Sequence, residues 1–292
     1  MTFDQALQAS GLLPRAIVAD GKWRRCPTID KPKKRNGAYV LYPDGRGYWR
    51  NWATDTDVNS WADKSITHLS PVDLAAMERR RHQERAQRLQ AIDSARRHWA
   101  QCAPIRGLHP YLESKGLSAV GTQALRVSGD SLVIPVLWKG RIISVQSITP
   151  DGHKRFWSGA PVKGGSLVLD RPRAALTAVC EGLATGLAIF QSVRNARVIV
   201  AFDAGNLAPV VDNVRPTGSV VICADDDHGT EALRGFNPGR EKAANAAELI
   251  GAGVAWPEGI EGTDWADALA EWGVSAHRRI ERQIQAKARY VM

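Results

Sequence analysis

Ser219-Val220-Val221-Ile222-Cys223-Ala224-Asp225-Asp226-Asp227 decides the fold of this chain: an apolar run that stops abruptly in three carboxylates. A second run, Ala178-Val179-Cys180, stops in Glu181-Gly182. Ala178-Val179-Cys180 and Val220-Val221-Ile222-Cys223 are apolar at every position, the pattern of strands buried on both faces in a parallel sheet covered by helices. Carboxylates at the C-terminal ends of such strands stand where open α/β sheets bind their ligands. Crowded together they repel one another unless a cation neutralises them, and hard oxygen ligands suit Mg²⁺ or Mn²⁺. One Asp-Asp pair is usually a solvated turn. Glu-Gly after one strand with Asp-x-Asp after another is far more specific. On an extended segment Asp225 and Asp227 share a side and Asp226 points away; if the segment has already turned, Asp226 is the ligand instead.

Further residues follow in a fixed order: Val179-Cys180-Glu181-Gly182-x-x-Thr185-Gly186-Leu187-Ala188, Ala201-Phe202-Asp203-Ala204-Gly205-Asn206-Leu207 and Ala224-Asp225-Asp226-Asp227. This series resembles the Toprim domain shared by bacterial primases, type IA and type II topoisomerases and several nucleases. Gly239-Arg240-Glu241-Lys242-Ala243-Ala244, then Pro257 and Gly262-Thr263-Asp264-Trp265-Ala266-Asp267-Ala268-Leu269, are similar to the continuation in plasmid and phage primases. The resemblance runs over about residues 105–275. It implies an α/β fold: a Rossmann-like, mostly parallel Toprim sheet, preceded by a mixed α+β subdomain and a small zinc-ribbon-like β domain. It also implies Glu181, Asp225 and Asp227 as catalytic metal ligands, with Asp264 and Asp267 holding a further ion. Thr185 stands where the family often has an acidic residue, which makes Asp203 a candidate substitute. Asn206 is expected to cap the next helix, with a phosphate contact as the alternative, and His228 to be solvated without a role.

At 292 residues and 44% apolar content, the chain can bury one sizeable core and a smaller domain. Cys26, Cys102, Cys180 and Cys223 show no Cys-x-x-Cys spacing, and two fall inside buried strands, so inert core thiols are expected rather than a disulfide framework. No apolar run reaches membrane-spanning length, and Met1-Thr2-Phe3-Asp4-Gln5 shows no signal-peptide pattern. A cytoplasmic protein without membrane partners is expected. No Gly-x-x-x-x-Gly-Lys-Ser/Thr occurs, so no fused P-loop motor is expected.

The net charge of +9 is concentrated. Residues 21–50 hold nine basic side chains against Asp30 and Asp44, a balance of +7, with Trp23, Tyr39, Tyr42, Tyr48, Trp49 and, just beyond, Trp52 interleaved. Cations for phosphates beside rings for bases are what a single-stranded nucleic-acid platform requires. Lys33, Lys34, Arg35 and Trp49 are the candidate contacts there. Some of the rings must instead form the core of this small domain.

Phe3 to Leu13 reads as a short helix capped by Thr2. Short strands follow, with turns at Ala19-Asp20-Gly21, Arg35-Asn36-Gly37 and Pro43-Asp44-Gly45. Cys26 has no Cys or His partner nearby and His68 is the next candidate, so no zinc is expected in a site that needs four ligands. Ser70-Pro71 opens a thinly apolar, basic helix reaching about Cys102 and ended by Pro104, expected to be a linker. Strand signals at 132–136, 142–148 and 167–169 come next. Lys154, Arg155 and Lys163 flank them and match, by resemblance, the basic residues that primases offer to template and incoming nucleotide. The expected domains are 1–69 (ribbon-like), 70–104 (linker), 105–172 (mixed subdomain) and 173–292 (Toprim).

The resemblance implies a mobile-element DNA primase: a nucleotidyltransferase making short primers on single-stranded DNA from nucleoside triphosphates, in concert with a replicative helicase. Glu181, Asp225, Asp227 and Lys163 would be its catalytic residues. The alternatives are a non-catalytic single-stranded-DNA-binding accessory protein and a Toprim nuclease using the same carboxylates.

Overall fold

The computed structural model describes residues 1–55, 57–63, 71–119 and 124–292. His68 and Ser70, named above as candidate ligand and helix cap, lie outside the described residues. The chain divides into two units, Met1–Arg85 and Ala86–Met292.

In the first unit α1 (Phe3–Ala9) is capped by Thr2 in a capping box with Gln5. Its buried face, Phe3, Ala6 and Leu7, covers an antiparallel sheet in the order β1 (Arg24–Cys26), β2 (Gly37–Leu41), β3 (Arg46–Asn51), β4 (Asn59–Ala62). Alternation along β3 buries Gly47, Trp49 and Asn51 and leaves Arg46, Tyr48 and Arg50 towards the other face. Trp49 is therefore not a stacking residue. It is 7% exposed, packs edge-on against Phe3, and donates its indole N–H to Ser10 Oγ at 2.8 Å. The opposite face carries an accessible ring: Trp52, 47% exposed, lies 5.4 Å under the Arg25 guanidinium and 4.1 Å under that of Arg50. Register sets Arg25 and Arg50 on either side of Ala38 in one cross-strand row. Lys33, Lys34 and Arg35 are exposed in the connection before β2. Cys26 belongs to this unit's buried cluster.

Helix α2 (Pro71–Gln101) holds the boundary between the units. Residues 81–90 are all exposed, whereas Ala95 is fully buried.

The second unit contains two sheets. The first is antiparallel throughout, ordered β5 (Ala103–Pro104), β6 (Arg126–Ser128), β7 (Ser131–Trp138), β8 (Arg141–Ile148), β9 (Lys154–Phe156), with α3 (Pro110–Ser114) between β5 and β6. The second runs β10 (Leu167–Leu169), β12 (Ala196–Val200), β11 (Leu176–Cys180), β13 (Gly218–Cys223), β14 (Gly253–Ala255). The last four of these, β12, β11, β13 and β14, are parallel. The 167–169 signal, read above with the mixed subdomain, thus joins this sheet, antiparallel to β12. As an edge strand with one face buried it shows the alternation in which Val168 alone is exposed. β15 (Arg289–Val291) pairs antiparallel with the first half of β13, beside the stretch that β14 takes.

Helices cover both faces of the parallel strands, which is why those strands are apolar without alternation. Ala178, Cys180, Val221 and Cys223 face the layer of α4 (Leu183–Ser192), α8 (Trp265–Trp272) and α9 (Ala276–Lys287). Val179, Val220, Ile222 and Ala224 face α5 (Leu207–Val214) and α7 (Pro238–Glu248). The short α6 (His228–Arg234) follows the Asp triplet. Among the described residues, no helix is long and apolar enough to cross a membrane.

Candidate functional site

Register brings Cys180 of β11 level with Val200 of β12 and Cys223 of β13. Because the three strands are parallel, the residues just past their C-terminal ends emerge on one edge of the sheet: Glu181, Asp203 and Asp225. The backbone leaves β12 through Phe202 at φ +74°, a left-handed conformation that a bulky residue adopts only under constraint. Asp203 follows directly, accepting from the amides of Gly205 and Asn206.

These carboxylates act on one another. Burial, followed by repulsion from Asp203 and Asp227, pushes Glu181 up to about 7, opposed by the amide of Ala204 and the charge of Lys154. Burial raises Asp225 to about 8, with Glu181, Asp264 and Asp227 adding to the rise and the Thr185 hydroxyl, at 3.3 Å, opposing it. Asp203 is raised as well, because protein crowds its carboxyl although the residue's surface reaches solvent. Burial and then mutual repulsion hold Glu181 and Asp225 up, and the charge of Lys154 offsets this only in part at Glu181. That donor chemistry, hard oxygens in an electronegative pocket, fits a divalent cation of the Mg²⁺ or Mn²⁺ class. As the side chains stand, no group of three or more His, Cys, Asp or Glu among the described residues is set to hold a metal ion, so the carboxylates would have to turn inward around one.

The other residues singled out from sequence divide clearly. Asp226 points away from this group: Arg240 Nη2 donates to its Oδ2 and Asn237 Nδ2 to its Oδ1, each at 2.8 Å. Asp264 reaches the cluster through its charge on Asp225, while its Oδ1 accepts from the amides of Ala266 and Asp267 as the cap of α8. Asp267 completes that capping box and meets Lys115 Nζ at 3.1 Å, so its carboxylate already has its cation. His228 is exposed, with Nδ1 3.1 Å from the Asp226 carbonyl.

Of the basic residues, Lys154 stands at the carboxylates. Alternation along β9 sends it and Arg155 to opposite faces; Lys154 Nζ lies 3.8 Å from where a Cβ on Gly182 would be. Arg155 lines a separate surface hollow with Phe156 and Trp157. Lys163 is exposed on an open groove of about 880 Å³ with Trp138, Lys139, Asp212 and Arg215, whose lining includes none of Glu181, Asp203 and Asp225. Its turn is fixed by Asn206, whose role differs from both expectations. Asn206 makes no side-chain cap to α5 and is 3% exposed. Instead its Oδ1 accepts from Gly164 N at 2.7 Å, and its Nδ2 donates to the carbonyls of Gly165 at 3.0 Å and Ala201 at 2.7 Å. The long-range partner 42 residues upstream is invisible to local helix rules.

Residues 176–275 match the Toprim domain. The DNA primase TraC of Escherichia coli is 31% identical over 284 residues, which cover 87% of this chain and 19% of that protein. A second Escherichia coli TraC sequence is 31% identical over 265 residues, 82% of this chain and 24% of the relative. The chain therefore spans about a fifth to a quarter of the length of these relatives. Among solved structures, the DnaG primase catalytic domain bound to single-stranded DNA is 16% identical, with a TM-score of 0.43 over 70% of this chain and 83% of that one. The primase fragment of the bacteriophage T7 primase-helicase is 13% identical, with a TM-score of 0.43 over 89% of this chain and 98% of the other.

Proposed function

We propose that this chain, which carries a Toprim domain and is related in sequence to the DNA primase TraC, is the catalytic part of a mobile-element DNA primase. The observation that carries the reading is the meeting of Glu181, Asp225 and Asp203 on one sheet edge, with Asp227 and Asp264 close enough to act on them and Lys154 as the nearby cation. Glu181, Asp225 and Asp227 would hold Mg²⁺ or Mn²⁺, and Asp264 lies within reach of the same ion's field. Bound there, a divalent ion supplies charge neutralisation on a triphosphate and a lowered pKa for a 3′-hydroxyl. Asp203 adds negative potential at the rim, and Lys154 offers an ammonium to a phosphate oxygen beside Glu181. Lys163 serves the template or nucleotide on its own groove rather than at the carboxylates. Asp267 is left to structure.

The basic face of the first unit, with Trp52 under Arg25 and Arg50 and with the exposed Lys33, Lys34 and Arg35, would hold single-stranded DNA. Nucleoside triphosphates are the proposed substrates, a replicative helicase the proposed partner, and the cytoplasm the compartment. No zinc is needed for this reading, since Cys26 lies within the apolar cluster of the first unit.

Incubating the protein with single-stranded DNA, labelled nucleotides and Mg²⁺ or Mn²⁺ should yield short primers. Asp225→Asn and Asp227→Asn should abolish synthesis while DNA binding persists. Absence of primers with every nucleotide set and either ion supports an accessory binding protein instead. Degradation of the DNA that stops in the same variants supports a nuclease.

A further inference from the structure

We infer that Arg240 and Asn237 are positioning residues that lock the register of the Asp225-Asp226-Asp227 segment by holding Asp226 under it, so that only the flanking carboxylates can turn to a cation. This rests on the reading of Glu181, Asp225 and Asp227 as cation ligands.

All the hydrogen-bonding groups of Asp226 are engaged. Its amide donates to the Thr263 carbonyl at 2.7 Å, and its own carbonyl accepts from the amide of His228 at 2.8 Å. Its carboxylate oxygens go one each to Asn237 and Arg240, at 2.8 Å. The residue is 9% exposed, so releasing its carboxylate would leave a buried anion without its partners. Asn237 is a hub: its Oδ1 accepts from Asp227 N at 3.2 Å and from Arg240 N at 3.1 Å, capping α7 while pinning the acidic segment. The first turn of α7 reaches Asp227 itself, since Gly239 N donates to Asp227 Oδ2 at 2.9 Å. Gly239 cannot be larger, because a Cβ there would collide with the Asp225 carbonyl. Arg240 is steadied in turn by stacking 4.5 Å over the ring of Trp256. A one-residue slip, which would put Asp226 towards the cation, breaks this whole set. The start of α7 thus makes three adjacent carboxylates inequivalent.

The test is a double-mutant cycle on Mn²⁺ affinity, measured by electron paramagnetic resonance without DNA or nucleotide, using Asp226→Asn, Arg240→Ala and the double variant. Each single change should weaken Mn²⁺ binding about 10- to 100-fold, as loss of groups that orient metal ligands does. The double variant should lose no more than either single one, because both remove the same anchor. Arg240→Lys, which keeps the charge, should recover part of the loss. Single-stranded DNA binding should be unaffected throughout. If melting temperature falls while Mn²⁺ affinity at lower temperature matches wild type, the pair is merely structural and the proposal is overturned. If Asp226→Asn abolishes binding and Arg240→Ala does not, Asp226 is a ligand and the proposal is equally overturned. Wild-type protein that binds no Mn²⁺ overturns the cation reading, and this inference with it.

Discussion

At the scale of single residues, Asp225 and Glu181 make the stability of the metal-free protein depend on pH in an unusual direction. Their folded-state pKa values, about 8 and about 7, lie above the ordinary 3.8 and 4.5. The folded chain therefore holds protons that the unfolded chain has released, and ionising these groups costs stability. The cost is absent below about pH 4, grows as pH rises, and is complete above about pH 8. Metal-free protein should accordingly melt higher at pH 6 than at pH 8, and Mg²⁺ should close the gap at pH 8. Asp225→Asn should narrow it, raising the pH 8 melting temperature by about 2–4 °C for each kcal/mol of relieved burial and repulsion in a unit of this size, while Glu181 keeps the remainder. Calorimetry with and without Mg²⁺ checks both; a wild-type melting temperature that is flat between pH 6 and pH 8 contradicts the crowding of these carboxyls.

Among the elements, α8 begins at a residue with two duties. Asp264 caps the helix and also bears on the charge of Asp225. Asp264→Ala removes both and should cost about 1 kcal/mol of stability, the usual worth of a cap. Asp264→Ser keeps a capping oxygen and removes only the charge, so it should restore stability without restoring any part Asp264 takes in cation binding. Chemical denaturation and Mn²⁺ titration of the two variants separate these duties. The same distinction explains what the sequence could convey. The parallel strands and their terminal carboxylates were legible because burial on both faces and a sudden acidic stop are local patterns. The burial of Trp49 was not, since alternation tells that Trp49 and Tyr48 face opposite ways but not which side α1 covers. Nor was the clamp of Asn206 on residues 164–165, or the Arg240–Asp226 pair, because each joins segments that only the finished fold brings together.

For the molecule as a whole, the basic face of the first unit and the carboxylate edge of the second are built by different cores. Their functions should therefore fail separately. Replacing Lys33, Lys34 and Arg35 by Ala should weaken single-stranded DNA binding and reduce the slope of log affinity against log salt by about 0.7 for each phosphate no longer neutralised. Mn²⁺ affinity should stay as in wild type. Trp52→Ala should weaken binding with the salt slope nearly unchanged, because a stacked ring releases no counterion. An unaltered slope in the triple variant would remove this face from the nucleic-acid path. The four cysteines have a practical consequence of the same division. All are buried, Cys26 in the first unit and Cys180 and Cys223 side by side beneath Glu181 and Asp225. A thiol reagent can reach them only when the protein around them opens, so each marks a clock for its own region. The rate at which Cys180 and Cys223 are modified reports how often the floor of the carboxylate site breathes, and a bound cation that holds the strand ends together slows that clock while leaving the one at Cys26 running at its former pace.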